Sequence, residues 1–391
     1  MLLSDLTVVE LTVHRAGPFC GALLADMGAD VVKIERPGVG DPTRTQGPGP
    51  EDKSGYFSAL NRNKRSVTLD LKSEAGREAA RDLVADADVF LENFGYGVAE
   101  RLGLGYDDLR ELNPELVYAS VKGYGKTGPM KEKPGLDLIL QAEGGLMSVT
   151  GPEGGDPVKV GQAVGDLTSG MFAAIGVLAR LHEAEVTGEG GQFDVGLFDA
   201  IVALLNDYPT NYGLTGEVPG PQGTSHQLLV PYQLFDAADG QFVTGVPSDD
   251  RWDEFVDVVG CESVREHGTN AERREHRGEV VGAIQEAFAE EPVEHWTDVL
   301  SEAGFPVGPL NDVADVVDHE QARARDLVVE QVVDDEELLL PGHPIHFPDH
   351  DEVGVRDPAP DLGADTEDVF GEVAGDQTTL DEWREGGAFG D

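Results

Sequence analysis

Short apolar runs separated by amphipathic stretches fill the first half of the chain. Residues 6–12 alternate and turn apolar, as a strand does. Residues 18–27 read as a helix with Pro18 in its first turn, and residues 31–34 as a second buried strand. The alternation continues with a strand at 66–71, a helix at 73–84, a strand at 88–91, a helix near 98–102 and a strand at 116–121. Such text predicts an α/β fold with a doubly wound parallel sheet. Residues 134–182 are mainly helical around a glycine-bearing loop at 150–156. Residues 192–197 read as a strand and residues 197–205 start another helix. Within the helical stretch, residues 167–181 carry Met171, Ile175, Val177, Leu178 and Leu181 at helical spacing.

The texture changes at residues 209–227, which are rich in Gly and Pro and read as a linker or mobile loop. Beyond it, residues 233–235 and 242–245 form a hairpin-like pair around Asp239-Gly240, and helices are predicted at 252–259, 277–289 and 293–303. This text marks a smaller α+β domain over residues 215–325, after a large domain over residues 1–214. Strand-like text returns at 327–333, and the chain ends in polar, disordered-looking sequence.

Composition adds a second signal. The 391 residues are 40% hydrophobic, enough for a globular protein of two or three domains, yet 28 basic and 75 acidic residues leave a formal net charge of −47. Self-repulsion of that size destabilises a compact state unless salt screens it, so the chain reads as built for molar salt, as in an extreme halophile. Only nine residues are Lys, the last being Lys159. The charge is uneven: residues 1–133 hold 17 basic and 21 acidic groups, net −4, and the remainder is net −43. That asymmetry reads either as a site for an anionic, phosphorylated ligand in the first third or as uneven drift of surface charge. Nucleic acid would be repelled. Cys20 and Cys261 give no disulfide framework. His343, His346 and His350 come closest to metal-ligand spacing, but prolines interrupt any helix there, and no metal is expected. The N-terminus lacks a basic segment followed by an uninterrupted apolar core, and no apolar run approaches membrane-spanning length. These features point to a cytoplasmic protein with no membrane partner.

Two nucleotide motifs fail on inspection. Gly123-Tyr124-Gly125-Lys126-Thr127-Gly128 follows a strand, but Ser120 stands where a phosphate loop needs glycine, and Pro129, Pro134 and Gly135 deny it the helix a dinucleotide fingerprint must open. No GxSxG elbow occurs. Asp166, in Val164-Gly165-Asp166-Leu167-Thr168-Ser169-Gly170, is the residue left with a chemical reading. It sits where a helix is expected to start, either as an N-cap or as a carboxylate nucleophile kept ionised by the helix dipole.

Several segments, taken in order, resemble family III CoA-transferases. They are Arg15-Ala16-Gly17-Pro18, Val32 through Pro37 with Gly40-Asp41, Asn61-Arg62-Asn63-Lys64-Arg65 with Leu69-Asp70-Leu71, Glu92-Asn93-Phe94, Ser120 through Gly125, Gly165-Asp166 with Gly170, Thr187-Gly188 with Gly191-Gln192, and the later Gly304-Phe305-Pro306 with Pro309. The resemblance implies a Rossmann-like large domain built from both chain ends, with residues 326–391 returning to it, and an interlocked homodimer. It implies a coenzyme A thioester as substrate with no tightly bound cofactor. Arg36, Lys72, Asn93, Phe94 and Arg101 match the family's CoA contacts, and Asp166 its catalytic aspartate. His14, Arg15, Ala16, Tyr56 and Asp137 match the substrate pocket. Loop 219–227 lies where relatives carry an active-site cover, or is a plain connector.

The implied activity moves CoA from an acyl-CoA to a carboxylic acid through an aspartyl-CoA thioester. An α-methylacyl-CoA racemase, on the same fold, needs two acid/base groups; Leu136 stands where such enzymes carry His and cannot move a proton. A CoA-binding protein without turnover is the other alternative. Arg15, where some relatives have Gln, could hold the free carboxylate of a C4–C5 dicarboxylate, with succinyl-CoA as donor and mesaconate as acceptor.

Overall fold

The computed structural model describes residues 1–47, 54–333 and 336–390. In chain order it begins β1 (Thr7–Leu11), α1 (Ala16–Asp26), β2 (Asp30–Glu35), α2 (Gly55–Asn61), β3 (Lys64–Thr68), α3 (Glu74–Ala85), β4 (Val89–Glu92), α4 (Val98–Arg101), α5 (Tyr106–Leu112), β5 (Val117–Lys122), α6 (Asp137–Glu143), α7 (Val164–Thr187), β6 (Gly191–Gly196), α8 (Leu197–Leu204) and α9 (Tyr208–Thr215). Strands β1 to β6 form one parallel sheet in the order β3-β2-β1-β4-β5-β6. The predicted alternation therefore gives a six-stranded doubly wound sheet. Strand β3 starts two residues before the predicted 66–71. Its first residue, Lys64, is buried in an ion pair with Glu10 and so escapes a search for apolar runs.

The strands are near-continuous apolar runs because both faces are covered. One core lies under α1 and α7, around Val8, Leu24, Val117, Ala173 and Val177. The other holds Val9, Phe90 and Tyr118. Helix α7 starts at Val164 and runs to Thr187, further in both directions than predicted, and ends at Gly188 with φ of 72°. By length and composition it is long and apolar enough to cross a membrane, contrary to the expectation that no apolar run reaches that length. Its Ala173, Ala174 and Val177 are buried in the first core. A Cβ on Gly170 would sit 2.7 Å from the Ala16 carbonyl oxygen, which is why α1 and α7 can approach so closely.

A second compact unit takes Met147–Lys159 and Thr210–His319, while the first takes Met1–Leu146, Val160–Pro209 and Glu320–Asp391. The boundaries fall at 209/210 and 319/320 rather than 214/215 and 325/326. Residues 147–159, expected in the large domain, group with the small unit because Gly223 donates to the Gly151 carbonyl (2.8 Å). The small unit contains β7 (Tyr232–Asp236), β8 (Gln241–Gly245), α10 (Trp252–Val259), α11 (Asn270–Glu275), α12 (Arg277–Phe288), α13 (Val293–Glu302), β9 (Val307–Pro309) and α14 (Val313–Asp318). The hairpin β7–β8 forms as predicted and gains β9 as a third antiparallel strand. Phe242, Phe255, Phe288 and Trp296 pack at its centre, with ring centroids 4.8 Å apart for Phe242–Phe288 and 4.9 Å for Phe288–Trp296.

The chain then returns to the first unit with α15 (Glu320–Ala324), β10 (Val328–Val333), β11 (Glu336–Pro341), α16 (Thr366–Val373) and α17 (Gln377–Glu385). The end expected to be disordered is helical from 366 to 385 apart from a short turn. Val369, Phe370, Leu380 and Trp383 are buried in the core that holds Phe90 and Tyr118. These few apolar residues among many acids are too sparse to show as periodicity, yet they are enough to dock two short helices.

Candidate functional site

The winding of the sheet reverses at β1, whose neighbours are β2 on one side and β4 on the other. Ligands of open parallel sheets bind at the carboxyl ends of the strands beside such a reversal. A cavity of about 260 Å³ lies there, lined by residues 13–16 after β1, Asn93 after β4, Lys122 and Gly123 at the end of β5, and by Tyr56, Gly135, Leu136, Asp137, Asp166 and Leu197. The tertiary structure thus brings His14, Arg15, Ala16, Tyr56, Asn93, Asp137 and Asp166 to one place.

The β1–α1 turn is held by Asn93. Its Oδ1 accepts from Val13 N–H (2.9 Å) and its Nδ2 donates to the Val13 carbonyl (2.8 Å). Both ends of the Asn93 amide are therefore committed to the backbone, so it positions the turn rather than standing free for a ligand. The next residue, His14, adopts φ of 65°, a left-handed conformation uncommon for a residue with a Cβ, and its N–H faces Asp41 Oδ1 at 3.3 Å. Arg15 follows as the N-cap of α1. Its guanidinium lies 4.4 Å from the centroid of the Tyr56 ring, and its Nη1 donates to Gln162 Oε1 at 3.2 Å. The cation is thereby pinned between an aromatic face and an amide.

Asp166 is the third residue of α7 and not its cap; the N-cap is Ala163, which makes no side-chain capping bond. The anion that serves the helix start is Asp137. Its Oδ1 accepts from Gly165 N–H (2.8 Å), and its Oδ2 accepts from Gln141 Nε2 (2.7 Å). The Val164 N–H goes to the Gln162 carbonyl and the Leu167 N–H to that of Ala163. Much of the first turn is already satisfied internally, which leaves the Asp166 N–H as the one described first-turn donor without such a partner. Among the described residues no donor reaches the Asp166 carboxylate. Burial raises its pKa to about 6, the neighbouring Asp137 charge adds to the rise, and Arg15 opposes both. The expectation that this carboxylate stays ionised meets an opposing pull, because desolvation raises its pKa. A pKa near 6 still leaves about nine-tenths of it ionised at pH 7, as a more basic carboxylate than an exposed one.

A second cavity of about 380 Å³ shares Val13 with the first and extends past the end of β2. Leu11, Ile34, Leu69, Leu71, Phe94 and Leu102 give it apolar walls, and Arg36 and Lys72, both exposed, stand among its lining residues. Arg101 lines neither cavity; it is the exposed last residue of α4, next to Leu102. Residues 222–225 pack against residues 151–153 and Val158 within the second unit, and loop 219–227 lines neither cavity.

Five of the 17 cations retained in the first third have an internal explanation. Lys33 and Lys64 are fully buried and share Glu10 (3.4 and 2.8 Å), with Lys33 also 3.1 Å from Asp41. Arg62 is paired with buried Asp26, Arg44 with Glu35 and Lys122 with Glu92. Burying such charges requires pairing, so these positions resist replacement by acids whatever binds nearby. Among the exposed cations, Arg36, Lys72 and Arg101 are those that the resemblance matched to CoA contacts. Sequence reasoning also missed Gln141 and Gln162. Gln141 is fully buried, holds Asp137, and accepts from Val160 N–H (2.9 Å). The one available signal was its spacing, one helical turn after Asp137. Covalent chemistry at cysteine is excluded by burial, which pushes the Cys20 thiol up to about 12 and Cys261 up to about 11.

Comparison with known proteins agrees with this geometry. The family model for CoA-transferase family III matches residues 3–366. An acetyl-CoA:oxalate CoA-transferase of Acetobacter aceti is 38% identical over 361 residues, covering 91% of this chain and 92% of that one. A succinyl-CoA:mesaconate CoA-transferase of Haloarcula hispanica is 40% identical over 362 residues, covering 88% and 89%. Among solved structures, a CAIB/BAIF family protein from Brucella suis superposes with a TM-score of 0.85 at 34% identity, over 94% of this chain and 98% of that one. With a carboxylate poised at the switch point of the sheet and relatives of this activity matched almost end to end, the chain belongs to CoA-transferase family III and is a CoA-transferase.

Proposed function

We propose that the enzyme exchanges CoA between acids through a thioester on Asp166. The observation that carries this reading is a partly desolvated carboxylate with no hydrogen-bond donor among the described residues, in a cavity that also holds Arg15. The Asp166 oxygen attacks the donor thioester carbonyl and expels CoA thiolate, leaving a mixed anhydride. The thiolate attacks the aspartyl carbonyl and releases the donor acid as a carboxylate. The acceptor carboxylate then attacks the aspartyl thioester, and the returning thiolate takes the acyl group from the second anhydride. No proton and no nucleotide is consumed. The apolar cavity beside Arg36 and Lys72 suits the adenine and pantetheine of CoA, with the two cations at its phosphates. The test is hydroxylamine trapping after incubation with an acyl-CoA, read by peptide mass spectrometry. Modification at Asp166 is expected; turnover without it would overturn the mechanism.

The acceptor we propose is a C4–C5 dicarboxylate such as mesaconate, with succinyl-CoA as donor. Arg15, fixed on Tyr56, is placed to take the carboxylate that does not react. Arg15→Ala is expected to raise KM for dicarboxylates by about tenfold or more, the worth of one charge-assisted hydrogen bond, while a monocarboxylate acceptor is little affected. Equal effects on both acceptor types would place Arg15 outside the specificity pocket. We further propose that the protein is a homodimer adapted to concentrated salt. Met171, Ile175 and Leu178 recur on an exposed face of α7, Ile175 at 61% exposure, which is the kind of surface a second copy buries. A monomer by sedimentation in molar KCl would refute the dimer.

A further inference from the structure

The small unit contains a grouping that the transferase reaction does not use. His267 follows the short helical turn at Glu262–Val264, His276 stands at the joint between α11 and α12, and Glu279 lies in the first turn of α12. The ligand-capable atoms of the three lie within 4.8 Å of one another. His267 Nε2 is 3.7 Å from Glu279 Oε1, and His276 Nδ1 is 3.8 Å from Glu279 Oε2. These separations are too long for hydrogen bonds. The two contacts use different Glu279 oxygens, and with one ligand atom from each residue the three lie within 4.8 Å, so an ion would draw them in toward the roughly 3.4 Å that separates ligand atoms around a tetrahedral ion with bonds of about 2.0–2.2 Å.

Two further observations bear on the site. His267 is 7% exposed, and its Nε2 is buried without a hydrogen-bond partner although it faces the carboxylate. An orphaned buried nitrogen of this kind asks for an explanation. The His267 backbone is also fixed in advance, because buried Arg273 donates to the carbonyls of His267 and Gly268 (3.3 and 2.8 Å). The nearby Glu272 does not compete. Its carboxylate is committed to the Thr269 N–H and hydroxyl (2.9 and 2.8 Å) in a capping box.

We propose that His267, His276 and Glu279 bind one divalent transition metal ion of the zinc type. Two imidazoles and a carboxylate favour such an ion over magnesium or calcium, which prefer all-oxygen shells. Water fills the remaining position, and the ion ties the 265–268 turn to the α11–α12 joint. The proposal departs from the expectation of no metal drawn from the sequence. The three histidines singled out there do not form a cluster: His343 is buried beside Asp26 (3.4 Å) and His350 faces Glu352.

The test uses full-length protein, stripped with chelator and kept in molar KCl, titrated with Co²⁺ and followed by visible absorption. One equivalent should give a tetrahedral spectrum, be displaced by Zn²⁺, and be indifferent to excess Mg²⁺. His276→Ala and Glu279→Gln, both at exposed positions, should each weaken Co²⁺ binding about tenfold or more while far-UV spectra and transferase activity stay unchanged. Absence of Co²⁺ binding, binding that survives both substitutions, or displacement by Mg²⁺ would each overturn the proposal.

Discussion

Replacing Asp166 by Ala or Asn is expected to lower CoA transfer by at least about 10⁴-fold, because a covalent nucleophile has no substitute in its cavity. Steady-state assays with any acyl-CoA and acid pair would show it, and residual turnover within tenfold of wild type would reject the nucleophile. Stability should move the opposite way. The folded carboxyl titrates near 6, above its ordinary value of 3.8. The native state therefore holds this proton more tightly than the unfolded chain does. The group's contribution is most favourable below about pH 4 and is lost as pH rises through 6. At pH 8 the ionised Asp166 costs about 1–3 kcal/mol, with 3 as the ceiling from a shift of about two units. Asp166→Asn should recover that amount as a higher melting temperature, and a lower one at pH 8 would mean that Arg15 outweighs the burial. The same proton controls rate: kcat/KM should fall as pH drops through about 6. In Arg15→Ala that limb should move to higher pH, since Arg15 is the group that lowers the pKa.

Transfer from molar to millimolar KCl is expected to unfold the protein, seen as loss of far-UV ellipticity and recovered on adding salt back. Two effects compete. Salt weakens each ion pair, but 28 cations can neutralise at most 28 of the 75 acidic charges, so repulsion dominates the balance. The exposed pairs are also poor compensation. Arg265 alone faces Asp253, Asp257 and Glu262, and exposed pairs of this type contribute little because water and salt screen them. The screening length grows from about 3 Å at 1 M to about 30 Å at 0.01 M, so carboxylates across the whole surface begin to repel one another. An unchanged spectrum at low salt would overturn this account.

The sequence by itself determined the alternation of strands and helices through β6, the failure of the Gly123–Gly128 motif, and the place of Asp166 among ordered family segments. Those are local facts: side-chain period, turn residues and missing glycines are legible from neighbours in the chain. What depended on distant partners was not. Lys64 lay outside the predicted strand and is a buried partner of Glu10. The acidic C-terminal end looked disordered and docks through Phe370 and Trp383. Residues 147–159 looked like part of the large domain and pair with residues beyond 209. Asp166 looked like a helix cap, and only the tertiary structure showed that Asp137 serves the helix start while burial raises the Asp166 pKa. Burial and electrostatic environment are set by residues far apart in sequence, such as Arg15, Tyr56, Asp137 and Asp166, so the ionisation of the Asp166 carboxylate was decided by the fold and not by the segment that carries it.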